Sequence, residues 1–185
     1  MSRVKLINAE EAPLLARPFY ASGDPGPIVA ALAQVPELLD VAMPFIGATL
    51  GPSFIPLRPK ELVILRTSAV LQCRYCVEVH TVVASEAGLT ADELVALREE
   101  RPLAEVFDRP DELALLQWVD ALALGRGPIA DPIADAVRGH WGEPAMVELT
   151  VLVGTTMMLN RLCTGLELPT SPETLTRLAE LGFSR

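Results

Sequence analysis

Apolar residues recur at helical spacing along nearly the whole chain, and no strand-length run alternates apolar with polar positions. Residues 1–24 read as an irregular arm. Helices are predicted over Pro27 to Gln34 and Glu37 to Gly47, followed by a turn-rich connector through Gly51-Pro52-Ser53 and Ile55-Pro56-Leu57. Pro59 suits a first helical position, where its missing N–H has no intrahelical partner, and that helix runs from Lys60 to about Leu71. The next starts near Arg74 and stops at Gly88, a residue able to adopt a left-handed C-cap. Thr90-Ala91-Asp92-Glu93 is a capping box opening a short helix to about Glu100. Further helices are predicted at Asp111 to Leu124, Asp131 to His140 and Pro144 to Leu166, and a last one capped at Ser171 ends at Gly182. No repeat, linker or low-complexity tract divides the chain. The expectation is one all-α domain over residues 1–185, a helical bundle in which two consecutive helices form an antiparallel hairpin.

Composition narrows the function classes. The chain has 185 residues, half of them hydrophobic, and a net charge of −9. That charge disfavours nucleic acid and anionic membrane as partners. The longest uncharged apolar stretch without proline, Leu149 to Leu159, is too short to span a bilayer, and no secretory pattern opens the chain. A cytoplasmic location is expected. A mean hydropathy of +0.34 is high for such a chain, and burial of apolar surface between copies would account for it. Three cysteines fit a dithiol with one spare rather than a disulfide scaffold.

The chemistry concentrates in residues 61–80, ELVILRTSAVLQCRYCVEVH. Cys73 and Cys76 form a C-x-x-C pair, His80 follows Cys76 at i+4, and Glu61 lies 12 positions before Cys73. A dithiol that cycles with its disulfide needs two close sulfurs and a means of making one a thiolate at neutral pH. In the first turn of a helix, Cys76 faces unsatisfied N–H groups that favour an anion by roughly 0.3–1 kcal/mol. His80 sits one turn on, on the same face, and can take the proton. If the chain folds back between the two helices, Glu61 meets His80 and balances the imidazolium. Spacing alone leaves three readings open: a redox dithiol, half of a metal site, and plain core packing. A metal site would need a fourth ligand, and neither His140 nor Cys163 shows ligand spacing.

These four residues, with Leu57-Arg58-Pro59-Lys60-Glu61 before them and Met157-Met158-Leu159-Asn160-Arg161-Leu162 later, resemble the alkylhydroperoxidase D-like branch of the carboxymuconolactone decarboxylase superfamily. The resemblance implies an all-α homo-oligomer that reduces peroxides without cofactor or metal. In the mechanism it implies, Glu61 and His80 deprotonate Cys76, whose thiolate attacks the peroxide O–O bond. Cys73 then resolves the sulfenic acid to a disulfide, and an external dithiol or redox protein reduces it. Some members carry a histidine between the cysteines, where this chain has Tyr75. Two alternatives remain: a decarboxylase-like lyase using Glu61 and His80 on a small carboxylated substrate, and a non-enzymatic redox sensor. Other polar or reactive positions have plainer readings. Cys163, Met146, Met157 and Met158 read as core filling, Trp118 and Trp141 as core or subunit packing, Glu148 and Asn160 as helix–helix hydrogen bonding ahead of the alternative of lining the pocket, and Arg66 as helix exterior.

Overall fold

Proline stands at the first or second position of five of the eight α-helices among residues 2–183, the residues that the computed structural model describes. The first N–H groups of a helix lack intrahelical acceptors, so proline costs nothing there and presets φ. In chain order the helices are α1 (Pro27–Leu32), α2 (Pro36–Leu50), α3 (Leu57–Val70), α4 (Arg74–Glu86), α5 (Ala91–Leu97), α6 (Pro110–Leu124), α7 (Asp131–Leu166) and α8 (Pro172–Glu180). Two short 3₁₀ turns join them, and no strand occurs among the described residues. The all-α expectation is met.

Boundaries follow local chemistry. Thr90 accepts the Glu93 N–H and Glu93 reaches back to the Thr90 N–H, the reciprocal capping box of the sequence. Ser171 caps α8 through the Thr174 N–H. Gly88 and Gly182 take φ of 88° and 86°, the left-handed stop for which glycine has no side-chain penalty. One start differs from expectation. The third helix begins at Leu57, not beside Pro59, and proline is still tolerated because it falls among the unpaired first-turn groups. The two helices expected over 131–166 are joined at Gly142, whose φ of 77° and ψ of 167° interrupt α7.

Helix α3 has almost no solvent face. Pro59 to Ala69 are all buried, and the helix packs against α4, α6 and α7. Leu62 and Leu65 join one core with Val82, Leu94 and Leu116, while Val63 and Ile64 join another with Leu115, Val119 and Leu149. Each such side chain contributes roughly 1.5–3 kcal/mol by leaving water. A helix buried all round must pair every charge it carries. Arg66 was expected on the exterior. It is instead buried, with its guanidinium forked onto Asp120 of α6 at 2.7 and 2.9 Å.

By length and composition α7 could cross a membrane, its most apolar 18-residue window having a mean hydropathy of 1.2, which the shorter unbroken run did not suggest. Here it packs against α2, α3, α4 and α6. The N-terminal arm, which carries a 3₁₀ turn over Arg17–Tyr20, is firmly held. Arg3 N–H donates to Leu166 O at 2.9 Å, Ile7 N–H to Ala30 O at 3.0 Å, and Tyr20 Oη to Ile7 O at 2.8 Å.

Candidate active site

Three residues, Leu71 to Cys73, reverse the chain between α3 and α4. Gln72 adopts φ of 55° to make the turn. Cys73 becomes the N-cap residue of α4 and Cys76 falls in its first turn. Their sulfurs are 3.0 Å apart, and both residues are buried. Two turns along α4, His80 has come alongside the start of α3, where its Nδ1 meets Glu61 Oε2 at 2.9 Å. A carboxylate acceptor on Nδ1 keeps that nitrogen protonated and leaves Nε2 as the free base. Glu61 is 2% exposed, so its negative charge has a fixed, water-poor setting beside the ring.

No hydrogen bond joins His80 to Cys76 among the described residues. What they share is a mostly apolar cavity of about 180 Å³ between α1, α2, α3, α4 and α7. Asn160 of α7 also lines it. Its Nδ2 donates to Ser68 Oγ at 3.1 Å, while its Oδ1 is buried with no hydrogen-bond partner. Cys73 borders a second, more polar cavity of about 460 Å³, with Cys163, Thr164, Arg74 and Glu167. Tyr75, between the cysteines, lines both. Burial holds its phenol above its ordinary pKa, so it stays a neutral donor.

Sequence reasoning missed Cys163. Its sulfur and those of Cys73 and Cys76 all lie within 4.8 Å of one another. No spacing signal exists for a contact made 87 positions away (163 − 76) by a different helix. The third sulfur also changes where charge rests. Hydrogen bonds from Cys163 and then Cys76 draw the Cys73 thiol down to about 3. At Cys76 the Cys163 hydrogen bond pulls downward, but the Cys73 contact and burial outweigh it, and the thiol is pushed up to about 12. Cys163 is pushed up further, by its bonds to Cys73 and Cys76 and by burial. Cys73, as N-cap, also faces the open N–H groups of α4, which favour a sulfur anion there as they do in the first turn.

Glu148, read as a helix–helix hydrogen bond, is an ion-pair partner of Lys60 at 2.8 Å and does not line the cavity described above. Trp118 and Trp141 pack and donate to Thr150 Oγ1 and Asp111 O.

Comparison with known proteins finds similarity at the level of sequence family and fold. The model of the carboxymuconolactone decarboxylase family matches residues 36–121. The matched segment carries Glu61, Cys73, Cys76 and His80. It is 24% identical over 138 residues to the uncharacterized protein YnjA of Escherichia coli, covering 74% of each chain. The alkylhydroperoxidase AhpD core of an uncharacterized peroxidase-related protein from Ralstonia eutropha superposes with a TM-score of 0.79 at 15% identity, over 94% of both chains. The debrominase Bmp8, in complex with 2,3,4-tribromopyrrole, superposes with a TM-score of 0.77 at 17% identity, over 98% of this chain and all of that one. At these identities the structural likeness establishes the fold.

Proposed function

We propose that this protein is a single-domain enzyme reducing peroxides with its own dithiol. The observation that carries the reading is the pairing of two 2.9–3.0 Å contacts around one cavity: Cys73 with Cys76, and Glu61 with His80. A peroxide enters the 180 Å³ cavity, where Asn160 Oδ1 accepts its O–H. Cys76 gives its proton to His80 Nε2 across the cavity they share, and its sulfur attacks the nearer peroxide oxygen. The O–O bond breaks, the departing oxygen takes a proton held by His80, and an alcohol or water leaves. Cys76 is then a sulfenic acid. Cys73 attacks its sulfur, water is lost, and the disulfide forms. An external dithiol or redox protein restores the thiols by exchange. Glu61 keeps His80 oriented and balances its charge, support typically worth ~10²–10⁴-fold as part of general acid–base assistance. The apolar lining favours an organic hydroperoxide over a fully hydrated anion.

The test is peroxide treatment followed by mass spectrometry. The peptide carrying both cysteines is expected to lose two hydrogens and to regain them with a dithiol. If it stays fully alkylatable after treatment, the dithiol reading is wrong. A lyase using only Glu61 and His80 would then regain the lead.

The protein is also proposed to be a homo-oligomer. Leu38, Val41 and Phe45 make an exposed apolar stripe on α2, and Val147, Val151 and Met158 make another on the α7 that packs beside it. A second copy covering this face would remove the apolar surface that the composition requires to be hidden. Light scattering is expected to give a whole-number multiple of 19.9 kDa, and a stable monomer at micromolar concentration refutes the assembly.

A further inference from the structure

Cys163 is a buried thiol for which the peroxide chemistry above has no step. Its position invites a different use. The sulfurs of Cys73, Cys76 and Cys163 come from the first turn of α4 and the last turns of α7, and all lie within 4.8 Å of one another. Three sulfurs each roughly 2.3 Å from a central atom, the length of a zinc–thiolate bond, lie at most about 4 Å apart. Cys73 and Cys76 are within that limit at 3.0 Å, and Cys163 meets it by moving roughly 1 Å or less. The site is therefore close to ready for an atom that binds three thiolates.

Charge and coordination number decide which atom. The cluster packs among Ala31, Leu168, Ile28 and Leu166. Arg74 is largely exposed and committed to Glu78. Three thiolates in such surroundings would be a buried triple charge, which desolvation forbids unless the bound atom cancels it. A divalent ion leaves a net negative complex, and a trivalent centre leaves none. A closed structural zinc site would also require a fourth protein ligand, and among the described residues no further His, Cys, Asp or Glu joins the group. Soft sulfur ligands select soft acceptors.

We propose that Cys73, Cys76 and Cys163 form a three-thiol binding site for a trivalent, thiophilic metalloid, for which arsenite is the probe. Arsenite is uncharged at neutral pH and reaches the cluster through the larger cavity, which Cys73 and Cys163 both line. Three As–O bonds exchange for three As–S bonds. Each hydroxide leaves as water with the proton of one thiol, so charge is unchanged, and arsenic stays trivalent with nothing oxidised. The site needs only reduced thiols and does not rest on the peroxidase reading. Occupation would remove both redox cysteines from use, making the metalloid a ligand that silences the dithiol.

The experiment adds arsenite to the fully reduced chain and reads arsenic X-ray absorption and intact mass. Wild type is expected to bind one equivalent with three sulfurs around arsenic, gaining one arsenic and losing three hydrogens. Cys163→Ala is expected to hold arsenic through two sulfurs and one oxygen. Its affinity should fall by more than the roughly 10–100-fold that losing an outer contact costs a metal site. Two sulfurs in the wild-type adduct, or an unchanged affinity in Cys163→Ala, overturns the proposal. If that variant does not fold, the wild-type sulfur count decides alone.

Discussion

Lys60 and Glu61 are successive residues of α3, both buried and both charged, yet their surroundings differ in one respect. Lys60 is 0% exposed and its ammonium is saturated, donating to Thr49 O at 3.0 Å, to Gly51 O, and to Glu148 at 2.8 Å. An ammonium has three donors, and all three are used. Glu61 holds a single ring nitrogen of His80, and His80 borders a cavity that also reaches a thiol. A buried charge with every bond made is a fastening. A buried charge whose partner still faces a cavity has capacity left for chemistry. Burial and pairing alone do not separate the two, since both residues have them.

The first way to break the comparison is to remove the fastening. Lys60→Ala leaves Glu148 without its cation and two carbonyls at the end of α2 without their donor. Breaking a buried pair typically costs about 3–5 kcal/mol. Denaturant unfolding should register a loss of that order in the variant. A loss below about 1 kcal/mol would mean that the pair is already water-exchanged in solution and that the distinction from Glu61 fails.

Glu61→Gln should do the reverse, sparing the fold and reducing turnover. Gln is isosteric, a comparable helix former, and still able to hydrogen-bond the ring. It cannot stabilise the imidazolium. Peroxide-dependent oxidation of a small dithiol is expected to slow toward the lower part of the ~10²–10⁴-fold range of general acid–base effects. Full activity in Glu61→Gln with loss in His80→Ala would make Glu61 a helix-start residue like Lys60.

Much of this was visible in the chain before the fold, and the pattern of misses has a physical cause. Contacts within one helix or across one turn were legible: the Thr90 capping box, the Gly88 stop, the Cys73–Cys76 pair and the return of His80 to Glu61. Contacts between distant elements were not. Arg66 was assigned to the exterior because its partner Asp120 is 54 positions away on α6. Cys163 was assigned to packing because its neighbours are on α4. The resting charge was placed on Cys76 because the helix dipole and His80 were the only influences within reach. The third sulfur, whose hydrogen bond pulls the Cys73 thiol down, enters only through α7.

The smallest effect belongs to a third charge in the same stretch, Arg58, and it sharpens where fastening shades into surface. Arg58 Nε reaches Glu112 at 3.0 Å and its other nitrogens reach Glu93, with about a quarter of the side chain exposed. Burial works to raise the Glu93 carboxyl, but the Arg58 guanidinium and the Thr90 N–H outweigh it, and the group sits below its ordinary 4.5. A carboxyl lowered in the folded state binds fewer protons there than in the unfolded chain. Its stabilising contribution is whole above 4.5 and is lost as pH falls through the lower folded value. Glu93→Gln isolates this term, because Gln preserves the capping box while removing the charge. The stability gap between wild type and variant should be about 1 kcal/mol or less near neutral pH, since water screens part of the pair. It should close as pH is lowered below 4.5. Denaturant midpoints of both proteins across that range measure it. A gap independent of pH would show that Glu93 acts only as a cap, and that Arg58 is held by Glu112 alone.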